Sequence, residues 1–521
     1  GEHALGHTSV DLLGHLWHHW HSAQEGLTHT TLVRFPEGVD LLPITGGWLD
    51  VWLGGHLVGL LGLVRAWNAV LGLFVLVAGV GGATLARTLG AAPWTAALAG
   101  VLLQLDGFLL LHLAGGRSEQ VGLGLVALTL AAGLRLVQPA PARTHVVLAA
   151  GSAALVVATS WELALMTAVG MVGLGALVVR RDSARAVASA LGLAAVLSLP
   201  MVAPFLTSTL AARAANPSFG GAVSEVASLG LLEWLGPQRP GPHTLTLLCL
   251  LALPWTARES DRRSWLAVVV LLITSLGLAL GASPALHRGG APFWTGPTPW
   301  SLAAQLPVLE WFHWPDRLTL LWSLIAPTAA ALALTHVARR SKVGAAGLAV
   351  LILAGALGEH SFAHRGPPAE WRPAPTEGTL LLRDHPHPGA VFDVPLNGRG
   401  HMSQTHLEAQ LTHGRPTRAH PFLDHLVATP ADPSALAVRD NGALRWLTAV
   451  HPRSPVPSGH LTAADLDGLH AQGFGWIVLH GGVLPPGLSA AVNTEIESIL
   501  GNPTLRVGAW QAWALGPTAA E

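Results

Sequence analysis

The amino-terminal stretch DLLGHLWHHWH, residues 11–21, concentrates side chains that can do chemistry: one aspartate, four histidines and two tryptophans. On a helical wheel, Asp11, His15 and His18 share a polar face that lies opposite an apolar face of leucine and tryptophan. Three interpretations of this face remain open. Asp11 and His15 are spaced to bind one divalent metal ion, Asp11 alone could be an acidic catalytic residue, or Thr8 and Asp11 form a capping box beside solvated histidines.

The composition of the chain indicates where this helix must work. Hydrophobic residues make up 50% of the 521 positions, charged residues only 11%, and the mean hydropathy is +0.46. A soluble domain carries roughly 25% charged residues, so this chain is predicted to be a polytopic membrane protein within a lipid bilayer. Its net charge of −1 gives no case for nucleic acid as a partner. Its single cysteine, Cys249, excludes an intrachain disulfide framework and a thiolate metal cluster.

Apolar runs of a length suited to a bilayer predict about ten membrane spans. They cover residues 66–86, 93–113, 119–138, 144–159, 162–179, 186–208, 243–257, 264–282, 317–338 and 343–358. The fourth and fifth runs form one tract interrupted at residues 160–162, where we expect a turn at the membrane interface because an acid is costly in hydrocarbon. Asp106 falls within the second run and is expected to face protein or a water-filled cavity, paired with Gln104 or His112.

Basic side chains give this bundle an orientation. They fall in alternate loops, at Arg87, at Arg135 and Arg143, at Arg180, Arg181 and Arg185, at Arg258, Arg262 and Arg263, and at Arg339, Arg340 and Lys342. Loops rich in arginine and lysine stay in the cytoplasm, so residues 1–65 and everything after about 360 are predicted to lie outside. Because the first visible span then runs inwards, we also expect a preceding span or a cleaved signal upstream of Gly1.

The fold class that these patterns predict is mainly α, a helical membrane bundle with a carboxy-terminal extracytoplasmic α/β domain. Residues 1–65 form an external loop with amphipathic helices in the membrane interface. The helix at 11–22 would place its leucine and tryptophan face in lipid and its histidines in water. Residues 66–358 form the transmembrane bundle, and residues 360–521 form the α/β domain.

Within the α/β domain, alternating apolar patterns and capping residues predict the individual elements. A helix should begin after Thr462 and stop at Gly473, and another should cover residues 488–500. The strands are expected at 389–396, 475–480, 504–508 and 511–515.

A series of motifs runs through most of the chain. They are DLLGHLW (11–17), RFPEGVDLLP (34–43), RAWNAVLGLFVLVAGVGGATLARTLG (65–90), TAALAGVLLQLDGFLLLHLAGGRSEQ (95–120), LPVLEWFHWPDR (306–317), VFDVPL (391–396), HGRPT (413–417) and GFGWIVLH (473–480). In this order they resemble the multi-spanning GT-C class of glycosyltransferases, which includes bacterial protein O-mannosyltransferases and aminoarabinose transferases.

The resemblance implies a helical bundle in the bacterial inner membrane whose first external loop lies flat on the membrane. It implies transfer of a sugar, with inversion, from a polyprenyl-phosphate donor to a glycan, lipid or protein acceptor on the external face. In this class the first acidic residue of the loop usually acts as base or metal ligand, and Asp11 is the matching position. The chain departs from the class where histidines replace the tyrosines common in that loop.

The chemistry of such a transfer selects further residues. Asp11 would accept the proton of the acceptor hydroxyl, while His15 and His18 would orient its carboxylate, or His15 would share a divalent metal ion with it. No other cofactor is expected. Guanidinium groups match phosphate oxygens with paired donors, and the external arginines are Arg34, Arg117 and Arg317.

Further acids are candidates for the same cavity: Asp40 with its neighbour Glu37, Glu119 and Glu162. Each also has a structural explanation. Turn chemistry accounts for Glu37 and Asp40, the helix dipole accounts for Glu119, and a position at loop level accounts for Glu162. Arg317 could likewise anchor the interface or pair with Asp316.

Two other functions remain open. The chain could be a transporter or flippase of lipid-linked material, or a non-catalytic member of the class that helps to assemble surface polysaccharide. Transporters tend to show paired repeats with broken helices and polar residues at mid-membrane depth, whereas polar residues here concentrate in external loops. This distribution favours the transferase.

Overall fold

The computed structural model places most of the chain in α-helices. It describes residues 3–7, 11–26, 29–41, 47–138, 141–178, 181–215, 232, 243–249, 262–287, 291–305, 315–363, 370–396, 402–418 and 440–516. The predicted span at 243–257 lies largely outside this set, as do Thr8 and several of the basic positions.

The amino-terminal segment combines helices with short strands. Its elements are β1 (Ala4–Leu5), α1 (Leu12–Gln24), β2 (His29–Thr30), β3 (Val39–Asp40) and α2 (Leu49–Leu61). Strands β2 and β3 pair with each other, whereas β1 pairs antiparallel with β4 (Glu370–Trp371), which follows the bundle. The segment is therefore joined to the carboxy-terminal part of the chain from its first described residues.

The bundle consists of helices that run back and forth. They are α3 (Leu63–Thr88), α4 (Pro93–Gln104), α5 (Gly107–Gly115), α6 (Ser118–Val121), α7 (Leu123–Leu136), α8 (Arg143–Thr159), α9 (Trp161–Val178), α10 (Arg181–Ala215), α11 (Arg262–Ala279), α12 (Pro299–Ala303), α13 (Leu320–Arg340) and α14 (Lys342–Ala363). A 3₁₀ turn, Pro315–Thr319, leads into α13.

By length and composition, six stretches of the described chain could cross a membrane. They are Leu63–Thr88, Pro93–Gly115, Ser118–Leu136, Ser183–Thr207, Pro315–Arg340 and Lys342–His360. The predicted spans at 144–159 and 162–179 correspond to shorter apolar helices, and 264–282 corresponds to α11. The expected interruption between α8 and α9 is confirmed, because Ser160 is extended there, with φ −164° and ψ 131°.

The second span is interrupted at Asp106, which is fully buried and therefore faces protein, as expected. Asp106 caps α5 by accepting a hydrogen bond from the backbone N–H of Phe108 at 2.8 Å. The side-chain amide of Gln104 donates to the carbonyl of Val75 at 3.0 Å. Local capping thus explains why an aspartate is tolerated inside an apolar run.

Small residues allow the helices of the bundle to approach closely. A Cβ on Gly81 of α3 would lie 2.3 Å from the carbonyl oxygen of Gly124 in α7, so the two backbones touch where neither residue has a side chain. At the far end, the backbone N–H of Ala92 donates to Thr335 Oγ1 at 2.9 Å. This contact brings the α3–α4 turn, which follows Arg87, beside the basic end of α13.

The carboxy-terminal region is built on a four-stranded mixed sheet in the order β5-β6-β8-β7. Its elements are α15 (Glu377–Asp384), β5 (Ala390–Val394), α16 (Met402–His413), α17 (Gly442–Ala449), α18 (Ala463–Ala471), β6 (Phe474–His480), α19 (Pro486–Leu500), β7 (Leu505–Val507) and β8 (Trp510–Ala514). Strands β5 and β6 are parallel and the other pairs are antiparallel. The predicted elements are confirmed, including a capping box between Thr462 and Asp465 and a left-handed Gly473 that ends the turn after α18.

Helix α1 differs from its predicted setting. Leu12 and Leu16 pack in the protein core with Trp67 rather than facing lipid, and His18 is 4% exposed rather than solvated. The capping-box interpretation is also wrong, because Asp11 is itself the N-cap residue and its side chain accepts no capping hydrogen bond. Helix α2 covers the polar face of α1. It can approach closely because Gly54 and Gly55, which lie against His19 and Ser22, have no side chains, and a helical wheel cannot show such a contact.

The contact between α3 and α7 yields a stability test. Alanine is favoured over glycine in a helix interior by about 1 kcal/mol, but at Gly81 the added methyl group would meet the Gly124 backbone. We expect Gly81→Ala to lower the melting temperature of the detergent-solubilised protein, measured by tryptophan fluorescence. The matched change Gly72→Ala, in the same helix with nothing within 4 Å, should leave it unchanged or raise it; equal behaviour of the two variants would contradict this packing.

Candidate active site

One end of the bundle collects charged side chains from four parts of the chain. Helices α1, α6 and α9 and the 3₁₀ turn before α13 all begin there. This is the end away from the basic turns at Arg87 and Arg339.

Asp11 and Arg117 form an ion pair that links α1 to the loop after α5. Arg117 Nε donates to Asp11 Oδ2 at 2.5 Å, and the backbone N–H of Asp11 donates to the carbonyl of Gly115 at 3.2 Å. Gly116 makes this approach possible. It has a left-handed backbone (φ +69°), and a Cβ there would lie 2.8 Å from the Cα of Leu12.

The next contact joins His15 to Glu119 at the start of α6. His15 Nε2 lies 3.2 Å from Glu119 Oε2, and both side chains are nearly buried. Glu119 also interacts electrostatically with Arg317, Asp50 and Asp11. The side chain of Ser118 donates to the fully buried Asp50 of α2.

Glu162 and Arg317 form a second ion pair. The guanidinium of Arg317 donates to Glu162 Oε2, and the amide of Gln120 donates to the same oxygen at 2.6 Å. Glu162 reaches this position because the chain turns at Ser160, so the first residues of α9 lie at the end of the bundle. Glu162 lies in the first turn of α9, directly after the break, and Arg317, whose side chain is only 11% exposed, is paired with it rather than standing as a lone interfacial anchor.

The structure therefore brings together six residues that the sequence selected: Asp11, His15, Arg117, Glu119, Glu162 and Arg317. Sequence reasoning missed Asp50 and Gln120. Asp50 carried a usable signal, since it stands in the apolar stretch GGWLDVWLGG in the same way that Asp106 and Glu162 stand in theirs. Gln120 carried none.

Other selected residues have different surroundings. The ring of His18 packs edge-on against Trp17, with 5.3 Å between ring centroids. Asp40 is exposed and pairs with His29 at 3.1 Å in the β2–β3 hairpin. Arg34 lies in the loop of that hairpin with a left-handed backbone, φ +52°.

The hairpin loop carries the contact with the carboxy-terminal domain. Glu37 forms an ion pair with Arg418, and the backbone N–H of Phe35 donates to the carbonyl of Thr417 at 3.1 Å. Trp17 of α1 donates through Nε1 to Gln410 of α16 at 2.7 Å. The amino-terminal segment is thus held between the bundle and the domain.

Metal ligation by Asp11 and His15 stays a prediction. Asp11 contacts Arg117, and His15 contacts Glu119. Among the described residues, a group of three potential metal ligands with suitable spacing occurs in the carboxy-terminal domain, at Asp393, His406 and His480.

The fold is that of the GT-C glycosyltransferases. No known family model matches the sequence, and neither does any curated protein. The fold comparison therefore rests on solved structures.

Three solved structures illustrate the likeness. The arabinofuranosyltransferase AftD from Mycobacteria superposes with a TM-score of 0.62 at 17% identity, over 100% of this chain and 39% of that one. The oligosaccharyltransferase AglB from Archaeoglobus fulgidus, in complex with an inhibitory peptide and a dolichol-phosphate, gives 0.53 at 10% identity over 96% and 68%. ArnT from Cupriavidus metallidurans, bound to undecaprenyl phosphate, gives 0.51 at 12% identity over 99% and 96%.

The coverage differs between these relatives. The chain spans about two fifths of the length of AftD, 39%, but nearly the whole of ArnT. At these identities the likeness establishes the fold. It makes the chain a multi-pass membrane protein of the GT-C fold, and the reaction must be argued from the site.

The burial of α1 leads to a test of pH dependence. Burial, with a smaller contribution from neighbouring His15, lowers the pKa of His19 from 6.5 to about 3. Between pH 6.5 and about 3, His19 is protonated in the unfolded chain but neutral in the folded chain. The free energy of unfolding therefore has its full value above pH 6.5 and decreases as the pH falls below it.

We expect His19→Gln to be less stable than the wild type at pH 7.5 but to lose less stability on acidification to pH 5. The difference in slope should approach one proton, about 1.4 kcal/mol per pH unit. Chemical unfolding at several pH values would measure it, with His460→Gln, at an exposed ring, as the control. Parallel pH profiles for the wild type and His19→Gln would contradict a buried neutral imidazole.

Proposed function

We propose that the protein is an inverting membrane glycosyltransferase that moves a sugar from a polyprenyl-phosphate donor to an acceptor hydroxyl at the end of the bundle formed by α1, α6 and α9. The observation that carries this proposal is the meeting of the Asp11–Arg117 and Glu162–Arg317 ion pairs around Glu119. A carboxylate and two guanidinium groups at one membrane surface are the groups that this reaction needs.

Asp11 is the proposed general base. Its side chain is 24% exposed, so it can reach an acceptor, whereas Asp50 is fully buried. In the reaction the acceptor oxygen bonds to the anomeric carbon, the bond from that carbon to the phosphate oxygen breaks, and the hydroxyl proton passes to Asp11. Attack from the face opposite the phosphate inverts the anomeric centre.

Arg117 and Arg317 are the proposed phosphate ligands. Each is already paired with a carboxylate, and a phosphate that gains negative charge as it leaves competes with that carboxylate for the guanidinium. Capture of Arg117 by the donor phosphate would leave Asp11 more basic at the moment when it must accept a proton. Donor binding would thereby activate the base.

His15 and Glu119 position this machinery. The contact between them fixes the start of α1, where Asp11 lies, against the start of α6. Glu119 follows Ser118 directly and lies two residues after Arg117. Ser118 and Asp50 tie α2 to the same point. These residues hold Asp11 and Arg117 at a fixed separation. A divalent metal ion bound by Asp11 and His15 would be compatible with this arrangement.

The donor class and the location have separate support. The structures of ArnT and AglB were determined with undecaprenyl phosphate and a dolichol-phosphate, and this chain shares their fold. The basic turns favour a cytoplasmic position for the opposite end of the bundle, which puts the charged cluster and the carboxy-terminal domain on the external face of a bacterial inner membrane. The acceptor would be a glycan, a lipid or a protein.

The role of Asp11 is tested by Asp11→Asn. The amide keeps the size of the side chain but cannot accept the proton, so we expect kcat for transfer of labelled sugar to fall about 10²- to 10⁴-fold. Donor binding should be retained. Transfer is measured in membranes supplied with labelled polyprenyl-phosphate sugars.

The matched control for this variant is Asp384→Asn, which alters another aspartate paired with an arginine, on the exposed surface of α15. It should transfer sugar at the wild-type rate. Undiminished transfer by Asp11→Asn would remove Asp11 from the mechanism. Absence of transfer by the wild type with every donor tested would instead favour a transporter or a non-catalytic assembly protein.

Phosphate binding by Arg317 is tested by Arg317→Lys. Lysine keeps the charge but loses the paired donors, and a charge-assisted hydrogen bond contributes about 1.5–3 kcal/mol. We therefore expect the inhibition constant of polyprenyl phosphate, the leaving product, to rise roughly 10- to 100-fold.

Glu162→Gln separates this role from a structural one. It weakens the same ion pair but leaves the guanidinium in place, so product binding should be unchanged or tighter. If both variants weakened product binding equally, Arg317 would be a structural partner of Glu162 rather than a phosphate ligand. Arg506→Lys, at an exposed pair with Glu497, controls for the substitution itself.

A further inference from the structure

The carboxy-terminal domain contains a second polar cluster, at the carboxyl edge of its two parallel strands. Asp393 is the fourth residue of β5, and His480 is the last residue of β6. His406 comes from α16, which covers this edge. His480 Nε2 lies 2.8 Å from Asp393 Oδ1, and His406 Nδ1 lies 3.7 Å from the same oxygen.

The tautomer of His406 follows from its other contact. Its Nε2 lies 2.9 Å from the carbonyl oxygen of Pro395, and because a carbonyl can only accept, Nε2 must carry a proton. In the neutral ring Nδ1 is then unprotonated and presents a lone pair. This atom is buried, has no hydrogen-bond partner, and faces the oxygen of Asp393 at a distance too long for a hydrogen bond.

Two lone pairs facing each other in a buried site repel unless a proton or a metal cation lies between them, and a separation of 3.7 Å is too long for a hydrogen bond through a shared proton. The other oxygen of the carboxylate is already used, because Thr417 Oγ1 donates to Asp393 Oδ2 at 2.7 Å. Both ligand side chains are thus held by outer hydrogen bonds, through Pro395 for His406 and Thr417 for Asp393. Such outer contacts are typical of metal ligands.

We propose that Asp393, His406 and His480 bind one divalent cation of the zinc class. With bonds of about 2.0–2.1 Å, ligand atoms around tetrahedral zinc lie about 3.3 Å apart, and here all three lie within 4.8 Å of one another. Small side-chain shifts complete the coordination. His480 is 19% exposed, so the fourth position opens to solvent and takes a water molecule.

The ligand set determines the class of ion. Two imidazoles and one carboxylate suit zinc and its transition-metal neighbours, whereas calcium and magnesium prefer oxygen ligands alone. His413 lies about two helical turns after His406 in α16. It is not a ligand through Nδ1, because that atom accepts a hydrogen bond from the backbone N–H of Arg415 at 3.0 Å.

The ion would act as a clamp on the surface that receives the first external segment. It joins α16 to β5 and β6. Helix α16 contacts Trp17 of α1 through Gln410, and Thr417, which holds Asp393, accepts and donates backbone hydrogen bonds at Phe35 and Leu32. The site stands apart from Asp11 and does not rest on the proposed transfer reaction.

The test measures metal bound to the full-length protein purified without a polyhistidine tag. After loosely held metal is removed and zinc is added back, elemental analysis should find about one zinc ion per chain. His480→Gln should lower zinc affinity at least tenfold, since even outer-shell changes cost roughly 10–100-fold. Cobalt bound in place of zinc should show a d–d absorption band that His480→Gln abolishes or shifts.

Folding is monitored in the same samples. A chelator should lower the melting temperature of the wild type and leave that of His480→Gln nearly unchanged. His460→Gln is the matched control, because His460 pairs with Glu495 on an exposed surface without a third ligand; it should bind zinc normally. The proposal is overturned if the wild type retains no stoichiometric metal, or if His15→Gln rather than His480→Gln removes it.

Discussion

A charged side chain at the end of an apolar bundle is stabilised by an opposite charge close by. The ion pair between Arg117 and Asp11 provides this for the loop after α5 and for the start of α1. Arg117 follows the left-handed Gly116 that ends α5, and Asp11 begins α1. Together with the backbone hydrogen bond from Asp11 to the carbonyl of Gly115, the pair ties the start of α1 to the end of α5. The remaining contacts of α1, with α2, α3 and α16, follow from that position.

The same constraint shapes the cluster as a whole. Glu162 and Arg317 come from the break between α8 and α9 and from the turn before α13, and Glu119 lies between the two pairs. A site with its charges already matched is stable without substrate. It is also prepared for an anionic one, since a phosphate can replace a carboxylate at a guanidinium without leaving a buried charge alone. The matching of charges thus serves the fold and the proposed reaction together.

The carboxy-terminal domain belongs to this arrangement through the segment between α1 and α2. Phe35 and Glu37 contact Thr417 and Arg418, and Trp17 contacts Gln410. Movement of the domain would therefore displace α1, which begins after Asp11. The cluster around Asp393 adjoins these contacts through Thr417, so an ion bound there would stiffen the surface on which α1 rests.

Much of this protein could be predicted from its sequence because the relevant physics is local. Apolar length indicated the bundle, the interruption at residues 160–162 indicated the turn that exposes Glu162, and Thr462 indicated a helix start. The resemblance selected Asp11, and the predicted topology selected Arg117 and Arg317 among the external arginines. What the sequence could not decide was which neighbours these elements would have.

Only the tertiary structure showed that α1 is buried on its polar face, because the pattern within α1 does not reveal that Gly54 and Gly55 of α2 pack against His19 and Ser22. Only it placed Asp50 and Gln120 in the cluster and set Asp393 beside His406 and His480. The sequence by itself determined the elements and their chemistry, since these depend on contacts within a few residues. Their partners depend on contacts across hundreds of residues, which form only when the chain packs.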